Sequence, residues 1–397
     1  TYLKALSQGP SPGVTDTTIH FATIVSEGVD PSKRKAMLDL LDVFFREKGA
    51  DARGEARRAQ TPLSLESRKH RAYRKWELHR WELRGNRDTW AGQLEASYRR
   101  QPVFALLSGV GMGSWQPSHA FCERFKVPCL FPNTDLPTIT ETGWYTVYLS
   151  KGMTLEAEAL ARYLRDERQG GLGGPIVQVF REDDEGVVPA ATLRRALHEH
   201  GIGGVRDRRL APGEGATVSF WENLLERERP AVLVLWLQEQ DFRGLDRLAG
   251  RYAHPSRIYL SSSLTGGRTQ AVPLTLADKA YLVHPFELPE TWERRLYRMK
   301  VWMQAKGIAL TDERLQASTY FTLSLAGEAL MHIGGNFSRE YFLERVEHAA
   351  ENALASSVYP RMSLGPEQRF ASKGCYILRF SQAAKGGWSA ATDWIVP

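Results

Sequence analysis

The sequence predicts an α/β protein built from two lobes, each with a parallel sheet flanked by helices. Three observations predict this fold class. Short apolar strands alternate with helical stretches of roughly 10–15 residues, which is typical of βαβ units. A glycine-rich stretch, 168–174, lies near the middle of the alternating region and separates two such runs. The chain has 397 residues, of which 42% are hydrophobic, so a sizeable core can form.

The first half of the chain begins with a strand and a helix. Residues 19–25 are a buried apolar run, and residues 75–83 alternate apolar and polar side chains with a period of two, so both predict strands. Helical spacing of apolar residues starts at Pro31 and closes at Gly49. The other predicted strands are 102–107, 128–132 and 144–149, and the other predicted helices are 88–100, 116–126 and 154–167.

Strand and helix keep alternating after the glycine-rich stretch. The predicted strands are 175–180, 203–208, 231–236 and 256–261, and the helices between them are 189–200, 219–229 and 240–252. Three long helices, 289–306, 311–333 and 338–355, come next, and the chain ends with β-like runs at 374–380 and 388–396. Parallel strands joined by helices need crossover connections, which are nearly always right-handed.

Composition excludes several classes of protein. Three cysteines exclude a disulfide-built scaffold, and no stretch of about 18 uncharged apolar residues predicts a membrane span. The net charge of +6 is modest, and part of it is local, because residues 53–100 hold an excess of Lys and Arg. No DNA- or RNA-binding motif accompanies these charges, so we expect no nucleic-acid partner. The polar segment 50–72 is interpreted as a basic surface insertion.

A glycine loop, GVGMGS at 109–114, follows the strand ending at Leu107. It does not have the spacing of a dinucleotide or P-loop motif, so a nucleotide site is disfavoured. Glycines here would let some other ligand approach the backbone. Ser114 is predicted to cap the next helix, with ligand contact as an additional role.

The sequence contains no convincing metal or catalytic set. His198 and His200 lie two apart on a helix and so face different ways. Cys122, Cys129 and Cys375 have no zinc-site spacing, and either buried thiols or a 122–129 disulfide suits the near pair. No GxSxG motif occurs. We therefore predict no catalytic residue, no metal and no cofactor.

Seven segments, in their order and spacing, resemble one known family. They are GVTDTTIHFATIV (13–25) and the stretches 75–109, 127–140, 144–164, 175–186, 230–249 and 376–397. The chain resembles the type I periplasmic binding proteins, in the branch that includes the leucine/isoleucine/valine-binding proteins of ABC importers. The resemblance implies two Rossmann-like lobes hinged by three crossover segments, with the ligand in the cleft between them.

The resemblance also implies a division of the chain and a set of ligand contacts. Lobe 1 is expected at 1–145 and about 275–340, and lobe 2 at about 146–274 and 341–397. The loop near Ser26 and Glu27 is expected to face the cleft. Carried over position by position, the ligand-binding residues are expected to be Met112, Ser114, Trp115, Asn133, Thr134, Asp135, Asp184, Trp236, Gln238, Ser262 and Ser263.

The sequence departs from the family at one informative position. Amino-acid-binding members supply an acidic residue for the ligand ammonium from the loop corresponding to 258–267, where this chain has three serines and no carboxylate. An ammonium desolvated without a counter-charge is costly. The ligand is therefore predicted not to be a simple amino acid, although Asp135 or Asp184 could substitute. Trp115 and Trp236 favour an apolar or aromatic ligand, lipid-like molecules included.

Three functions follow from these features. The leading hypothesis is a non-enzymatic, periplasmic solute-binding protein that delivers a small molecule to a membrane transporter or permease; the sequence begins at Thr1 and shows no signal peptide. The second is a sensory or regulatory module that binds a ligand and signals to a partner protein. The third is an α/β enzyme that uses the glycine loop for a nucleotide.

Overall fold

The computed structural model describes residues 11–58, 74–140, 142–333, 336–351, 357–365, 368–384 and 387–397. The strands are β1 (Thr18–Ser26), β2 (Lys75–Leu83), β3 (Ala105–Leu107), β4 (Cys129–Leu130), β5 (Thr146–Ser150), β6 (Ile176–Arg181), β7 (Arg206–Leu210), β8 (Val232–Trp236), β9 (Arg257–Ser261), β10 (Ala280–His284), β11 (Phe370–Ser372), β12 (Tyr376–Phe380) and β13 (Trp388–Ala390). The helices are α1 (Pro31–Arg58), α2 (Trp90–Arg100), α3 (Gln116–Phe125), α4 (Met153–Gln169), α5 (Asp184–Glu199), α6 (Val218–Glu228), α7 (Arg243–Asp246), α8 (Pro289–Ala305), α9 (Glu313–His332) and α10 (Arg339–Glu351).

The chain forms two compact units. Unit 1 comprises Thr1–Leu149 and Arg294–Ala371, and unit 2 comprises Ser150–Glu293 and Ser372–Pro397. The chain thus passes between the units three times. These boundaries differ from the predicted ones, since 275–293 belongs to unit 2 and 341–371 to unit 1. The reason is strand pairing, because β10 pairs with β9 in one sheet while β11 lies beside β5 in the other.

Unit 1 is built on a six-stranded sheet in the order β11-β5-β4-β3-β1-β2. The pairs β1/β2, β1/β3, β3/β4 and β4/β5 are parallel. Alternate residues of β1 serve the two faces: Phe21 packs against Trp76 on one face, while Ile24 and Trp81 belong to the core cluster on the other. Because the strands run parallel, the loops at their carboxyl ends share one edge of the sheet.

Unit 2 is built on a seven-stranded sheet in the order β13-β12-β10-β9-β8-β6-β7. Strands β7, β6, β8, β9 and β10 pair in parallel, and the closing β12 and β13 are antiparallel. One core cluster packs α4 and α5 against one side of the sheet. A second cluster packs α6, through its buried Trp221, against the other side. The predicted α/β class with two parallel-sheet lobes is confirmed.

Two elements differ from the sequence prediction for local reasons. The helix expected at 240–252 is a short 3₁₀ turn followed by the four-residue α7. A Cβ at Gly244 would lie 2.7 Å from the Ala216 carbonyl oxygen, so only glycine fits the close packing of α7 against the segment before α6. Strand β10 was not predicted, although β9 and β12 flank it in the sheet. The first nine residues of segment 50–72 continue α1 past Gly49, and 59–72 lie outside the described residues.

Cys122, Cys129 and Cys375 are free, buried thiols, so of the two alternatives the chain adopts thiols. Burial raises the pKa of the Cys122 thiol. In the described part of the chain, no helix is long and apolar enough to cross a bilayer.

Candidate ligand-binding loops

Three loops of unit 1 meet at the carboxyl edge of its sheet. The Val110 amide donates to the Ile24 carbonyl at 2.8 Å, and the Ser26 amide donates to the Val110 carbonyl at 3.1 Å. On the other side, the Asn133 amide donates to the Gly109 carbonyl at 2.9 Å. The glycine loop after β3 is thereby held between the loops after β1 and β4, so three of the predicted segments lie side by side.

Trp115 lies directly against the backbone of the glycine loop. A Cβ added at Gly109 or Gly111 would come within 3.1 Å of the indole ring, and Gly109 has a φ of 109° that other residues rarely adopt. The two glycines are therefore needed for the indole to pack there. Next to it, the Met112 amide donates to Ser26 Oγ at 2.9 Å, and the Met112 side chain is 47% exposed.

The indole N–H of Trp115 has no hydrogen-bond partner among the described residues. The side chain is only 4% exposed, so water does not replace the missing acceptor freely. A buried donor without an acceptor costs about 1–3 kcal/mol. The Trp115 N–H is thus a buried donor without an acceptor, within the core cluster of unit 1 and next to the glycine loop.

Ser114 acts one position before the helix cap. The N-cap of α3 is Trp115, which makes no capping bond with its side chain, whereas Ser114 Oγ accepts from the Gln116 amide at 3.3 Å. The sequence prediction placed the cap at Ser114 itself and is corrected by one residue. The hydroxyl still satisfies an amide of the first helical turn.

Asn133 and Thr134 brace the loop after β4. Asn133 Nδ2 donates to Ser108 Oγ at 2.8 Å and to the Gly109 carbonyl at 3.1 Å, and Ser108 Oγ lies 3.0 Å from Thr319 Oγ1. Thr134 Oγ1 accepts from the Leu136 amide at 3.1 Å. Both polar side chains therefore fix the positions of neighbouring loop residues.

Asp135 forms a two-pronged ion pair with Arg314 of α9. Nη1 and Nη2 of the guanidinium lie 2.8 and 2.9 Å from the two carboxylate oxygens. Burial lowers the pKa of an arginine, but the charge and hydrogen bonds of Asp135 outweigh it and raise the pKa of Arg314. Asp135 is consequently neutralised by a protein partner that the sequence did not reveal.

Replacing Arg314 with methionine should lower the free energy of unfolding by about 2 kcal/mol, because it leaves the part-buried Asp135 unpaired. Chemical denaturation measures this value. The double variant Arg314→Met/Asp135→Asn should cost less than the two single variants added together. Additive losses would contradict the pairing. Lys35→Met, at the exposed pair with Asp39, is the control and should change stability by less than about 0.5 kcal/mol.

In unit 2, side-chain contacts join the segments that follow β6 and β8. Gln238 Nε2 donates to Glu185 Oε2 at 3.3 Å, and Gln240 Nε2 donates to Gln238 Oε1 at 2.9 Å. Asp183 caps α5 by accepting from the Gly186 amide at 2.8 Å. Asp184 is the first residue of α5, and its side chain lies outside the described residues.

Trp236, the last residue of β8, belongs to the core of unit 2. Its side chain is buried, and its indole N–H donates to Gln178 Oε1 at 3.1 Å. The ring therefore packs between sheet and helices, and its one polar atom is already paired. This placement argues against the ligand contact expected from the sequence.

The serine loop after β9 is supported by two residues that the sequence reasoning missed. Ser262 Oγ lies 2.6 Å from His284 Nδ1, and His284 Nε2 lies 3.0 Å from the Glu287 carbonyl oxygen. Since a carbonyl can only accept, Nε2 carries the proton and the Ser262 hydroxyl donates to Nδ1. The Ser263 amide donates to Oε1 of Glu156, a buried carboxylate of α4, at 3.0 Å. Both partners are distant in sequence, and only strand order could have indicated them.

Comparison with known proteins was made on this architecture. No protein-family profile and no curated protein matches the sequence. Solved structures do match, among them a fatty acid ABC transporter substrate-binding protein from Thermomonospora curvata, with 16% identity, a TM-score of 0.63, and 98% of this chain and 95% of that chain covered. A leucine-binding protein from Thermotoga maritima has 14% identity and a TM-score of 0.63, covering 96% and 99%. A branched-chain amino acid ABC transporter protein from Thermus thermophilus with bound valine has 13% identity and a TM-score of 0.64, covering 97% and 98%.

The chain has the type I periplasmic binding protein fold. At these identities the likeness establishes the fold, and the chemistry must come from the loops themselves. Open α/β sheets bind ligands beyond the carboxyl ends of their parallel strands, so in each unit the loops at those ends are the candidate ligand contacts.

Carboxylates in these loops of the periplasmic binding protein fold already bind protein groups wherever their side chains are described. In unit 1 the pairs are Glu27 with the Gly85 amide and Asp135 with Arg314; in unit 2 they include Asp183 with the Gly186 amide, Glu185 with Gln238, Glu239 with Arg268 and Asp241 with Arg181. The guanidinium groups of Arg314 and Arg268 balance the charges of Asp135 and Glu239, whereas the amide donors that meet Glu27, Asp183 and Glu185 carry no charge.

Proposed function

We propose that this protein is an exported, periplasmic solute-binding protein that captures a small molecule and delivers it to a membrane transporter. The fold supports a solute-binding role, because its structural neighbours are ABC transporter substrate-binding proteins. The neighbours are binding proteins rather than enzymes, which supports a role without catalysis. The transport partner would be the permease component of an importer.

The ligand in this proposal is an apolar or aromatic molecule with a hydrogen-bond acceptor, such as a fatty acid or an aromatic acid. The observation that carries this choice is the indole N–H of Trp115, a buried donor that has no acceptor among the described residues and that the ligand would reach by displacing the adjoining glycine loop. The exposed side chain of Met112 adds a flexible apolar surface at the same loop. The neutralised Asp135 supports an uncharged or anionic ligand over one with an ammonium group.

A direct binding measurement on the full chain tests this function. Native mass spectrometry and thermal unfolding would compare a long-chain fatty acid, phenylacetate, leucine and valine. A ligand present at 100 times its Kd should raise the free energy of unfolding by about 2.7 kcal/mol. We expect the fatty acid or the aromatic acid to stabilise the protein and the two amino acids to have no effect. Stoichiometric binding of leucine or valine alone would contradict the ligand class, and binding of none would contradict the transport role.

Trp115→Phe should weaken binding of the apolar ligand about tenfold while leaving the fold intact, since it removes one hydrogen-bond donor and keeps an aromatic ring. Isothermal titration calorimetry measures the change in Kd. Trp221→Phe is the matched control. Trp221 is also a buried indole whose N–H has no partner among the described residues, but it belongs to α6 and packs in the core of unit 2, away from the glycine loop in sequence. Equal effects of the two substitutions would show that Trp115 acts only through packing.

Capture of the partner separates transport from sensing. The ligand-loaded chain, immobilised and exposed to solubilised envelope membranes, should retain a permease component that is identified by mass spectrometry. Retention of a sensor protein in its place would favour the regulatory module.

A further inference from the structure

Three potential metal ligands converge on the first two strands of unit 1. His20 lies on β1, and Glu77 and His79 lie on β2. His20 Nδ1 is 3.0 Å from His79 Nε2, and His79 Nε2 is 4.0 Å from Glu77 Oε1. One ligand atom from each of the three residues lies within 4.8 Å of the others.

The strand register explains this convergence. Strands β1 and β2 pair in parallel with His20 opposite Glu77 and Ala22 opposite His79. Glu77 and His79 are two residues apart, so they project from the same face of the sheet. His20 projects from that face as well, which places the three side chains in one triangle on two adjacent strands. Strands hold the ligands more rigidly than loops do.

The spacing suits a transition-metal ion. Two imidazole nitrogens bound to one tetrahedral Zn²⁺ at 2.0–2.1 Å lie about 3.3 Å apart, so the two rings need to separate by a few tenths of an ångström. The proton that His20 and His79 now share would move to the other nitrogen of its ring, which frees both facing nitrogens for the ion. The two oxygens of the Glu77 carboxylate face different groups. Oε2 is 3.5 Å from Lys75 Nζ, and Oε1 is 4.0 Å from His79 Nε2 and is the oxygen that could bind the metal. Two imidazoles and one carboxylate form a common donor set for Zn²⁺ in proteins.

We propose that His20, Glu77 and His79 bind a divalent first-row transition-metal ion, for which Zn²⁺ is the test ion. The fourth position would be taken by water, since the His79 side chain is 24% exposed and Glu77 is 42% exposed. The cluster lies early in β1, whereas the candidate ligand loop begins only after Ser26 at the other end of the strand. The ion would bridge β1 to β2, which is the edge strand of its sheet. Binding would therefore stabilise the edge of unit 1 and does not depend on the proposed solute.

Titration of the full chain with Zn²⁺ tests the site. The protein, prepared without a polyhistidine tag and treated with a chelator, should bind one Zn²⁺ per chain in calorimetry, and crystals soaked in Zn²⁺ should give an anomalous peak about 2.0–2.1 Å from His20 Nδ1 and His79 Nε2. His79→Ala should lower the affinity about 100-fold or more, and Glu77→Gln about tenfold. Far-UV circular dichroism and thermal unfolding in chelator check that each variant is folded.

His198→Ala is the matched control, because it removes an exposed histidine at the end of α5 in the other unit. It should leave the Zn²⁺ affinity unchanged. Affinity that falls with His198→Ala and not with His79→Ala would overturn the proposal, as would an anomalous peak elsewhere or no binding at all. Should His79→Ala fail to fold, the more conservative His20→Asn must show the same loss of affinity.

Discussion

Replacing Arg339 with methionine should lower the free energy of unfolding by about 4 kcal/mol or more, the largest effect expected of any single substitution considered for this protein. Arg339 begins α10, and its guanidinium is buried in unit 1. It donates to the carbonyl oxygens of Pro12, Val103, Phe104, Phe125 and Lys126 and to the Tyr98 hydroxyl, at distances from 2.6 to 3.3 Å. One side chain thus donates to backbone carbonyl oxygens from several separate segments of unit 1.

The cost arises because methionine fills the space but donates nothing. Each buried carbonyl left without a donor costs about 1–3 kcal/mol, although relaxation and entering water recover part of the sum. Arg339→Lys should recover only part of the loss, since an ammonium cannot reproduce the planar fork of five donors. Urea denaturation monitored by circular dichroism gives both values. Arg99→Met, at an exposed ion pair with Glu95 on α2, is the control and should change stability by less than about 0.5 kcal/mol. A loss of less than about 1 kcal/mol in the free energy of unfolding for Arg339→Met would show that the buried guanidinium contributes little to stability.

Acidification from pH 7 to pH 4 should cost unit 2 about 3 kcal/mol through His284 alone. Burial lowers the pKa of His284 from 6.5 to about 4, against the opposing hydrogen bond from the Glu287 backbone. The folded protein therefore keeps His284 neutral, while the unfolded chain takes up the proton below about pH 6.5. The stabilisation that comes from the neutral imidazole is complete above pH 6.5. It is lost progressively as the pH falls from 6.5 through about 4, and the loss levels off below that value.

A difference between two pH profiles isolates this contribution. Carboxylates and other histidines also titrate in this range, so the free energy of unfolding must be measured from pH 4 to 8 for the wild type and for His284→Gln. The variant is destabilised at pH 7 because it loses the bond with Ser262, but its profile should be flatter by about 3 kcal/mol between pH 6.5 and 4. Parallel profiles for His284→Gln and wild type would contradict the buried neutral imidazole.

The fold was largely predictable because it depends on periodicity, which is local. The alternation of residues 75–83 predicted β2 with its observed bounds, and the apolar run 231–236 predicted β8 within one residue. Strand β10 escaped prediction because its five residues carry no alternation that distinguishes a strand with neighbours on both sides from a buried loop. The unit boundaries escaped for a similar reason, since the pairing partners of β10 and β11 are not encoded near them in sequence.

The candidate site was predictable as a set of loops and much less so as a set of side chains. The glycine pattern placed a loop at 109–114, and the family resemblance placed ligand loops at 112–115 and 133–135; backbone bonds hold these segments side by side. The state of each side chain depends on partners far along the chain. Asp135 is neutralised by Arg314, Trp236 is bonded to Gln178, and the Ser263 amide binds Glu156. None of these pairs has a spacing that a sequence pattern could reveal.

The sequence by itself determined the α/β class, most strands and helices, and the glycine loop that Trp115 needs, because hydrophobic periodicity and backbone freedom act over neighbouring residues. Only the tertiary structure decided which charges are paired, which indole N–H has no acceptor, and that His20 meets Glu77 and His79. The reason is that parallel strands align residues by register rather than by distance along the chain. The local sequence pattern therefore predicts where the strands lie, but the pairing of those strands determines which two or three side chains meet.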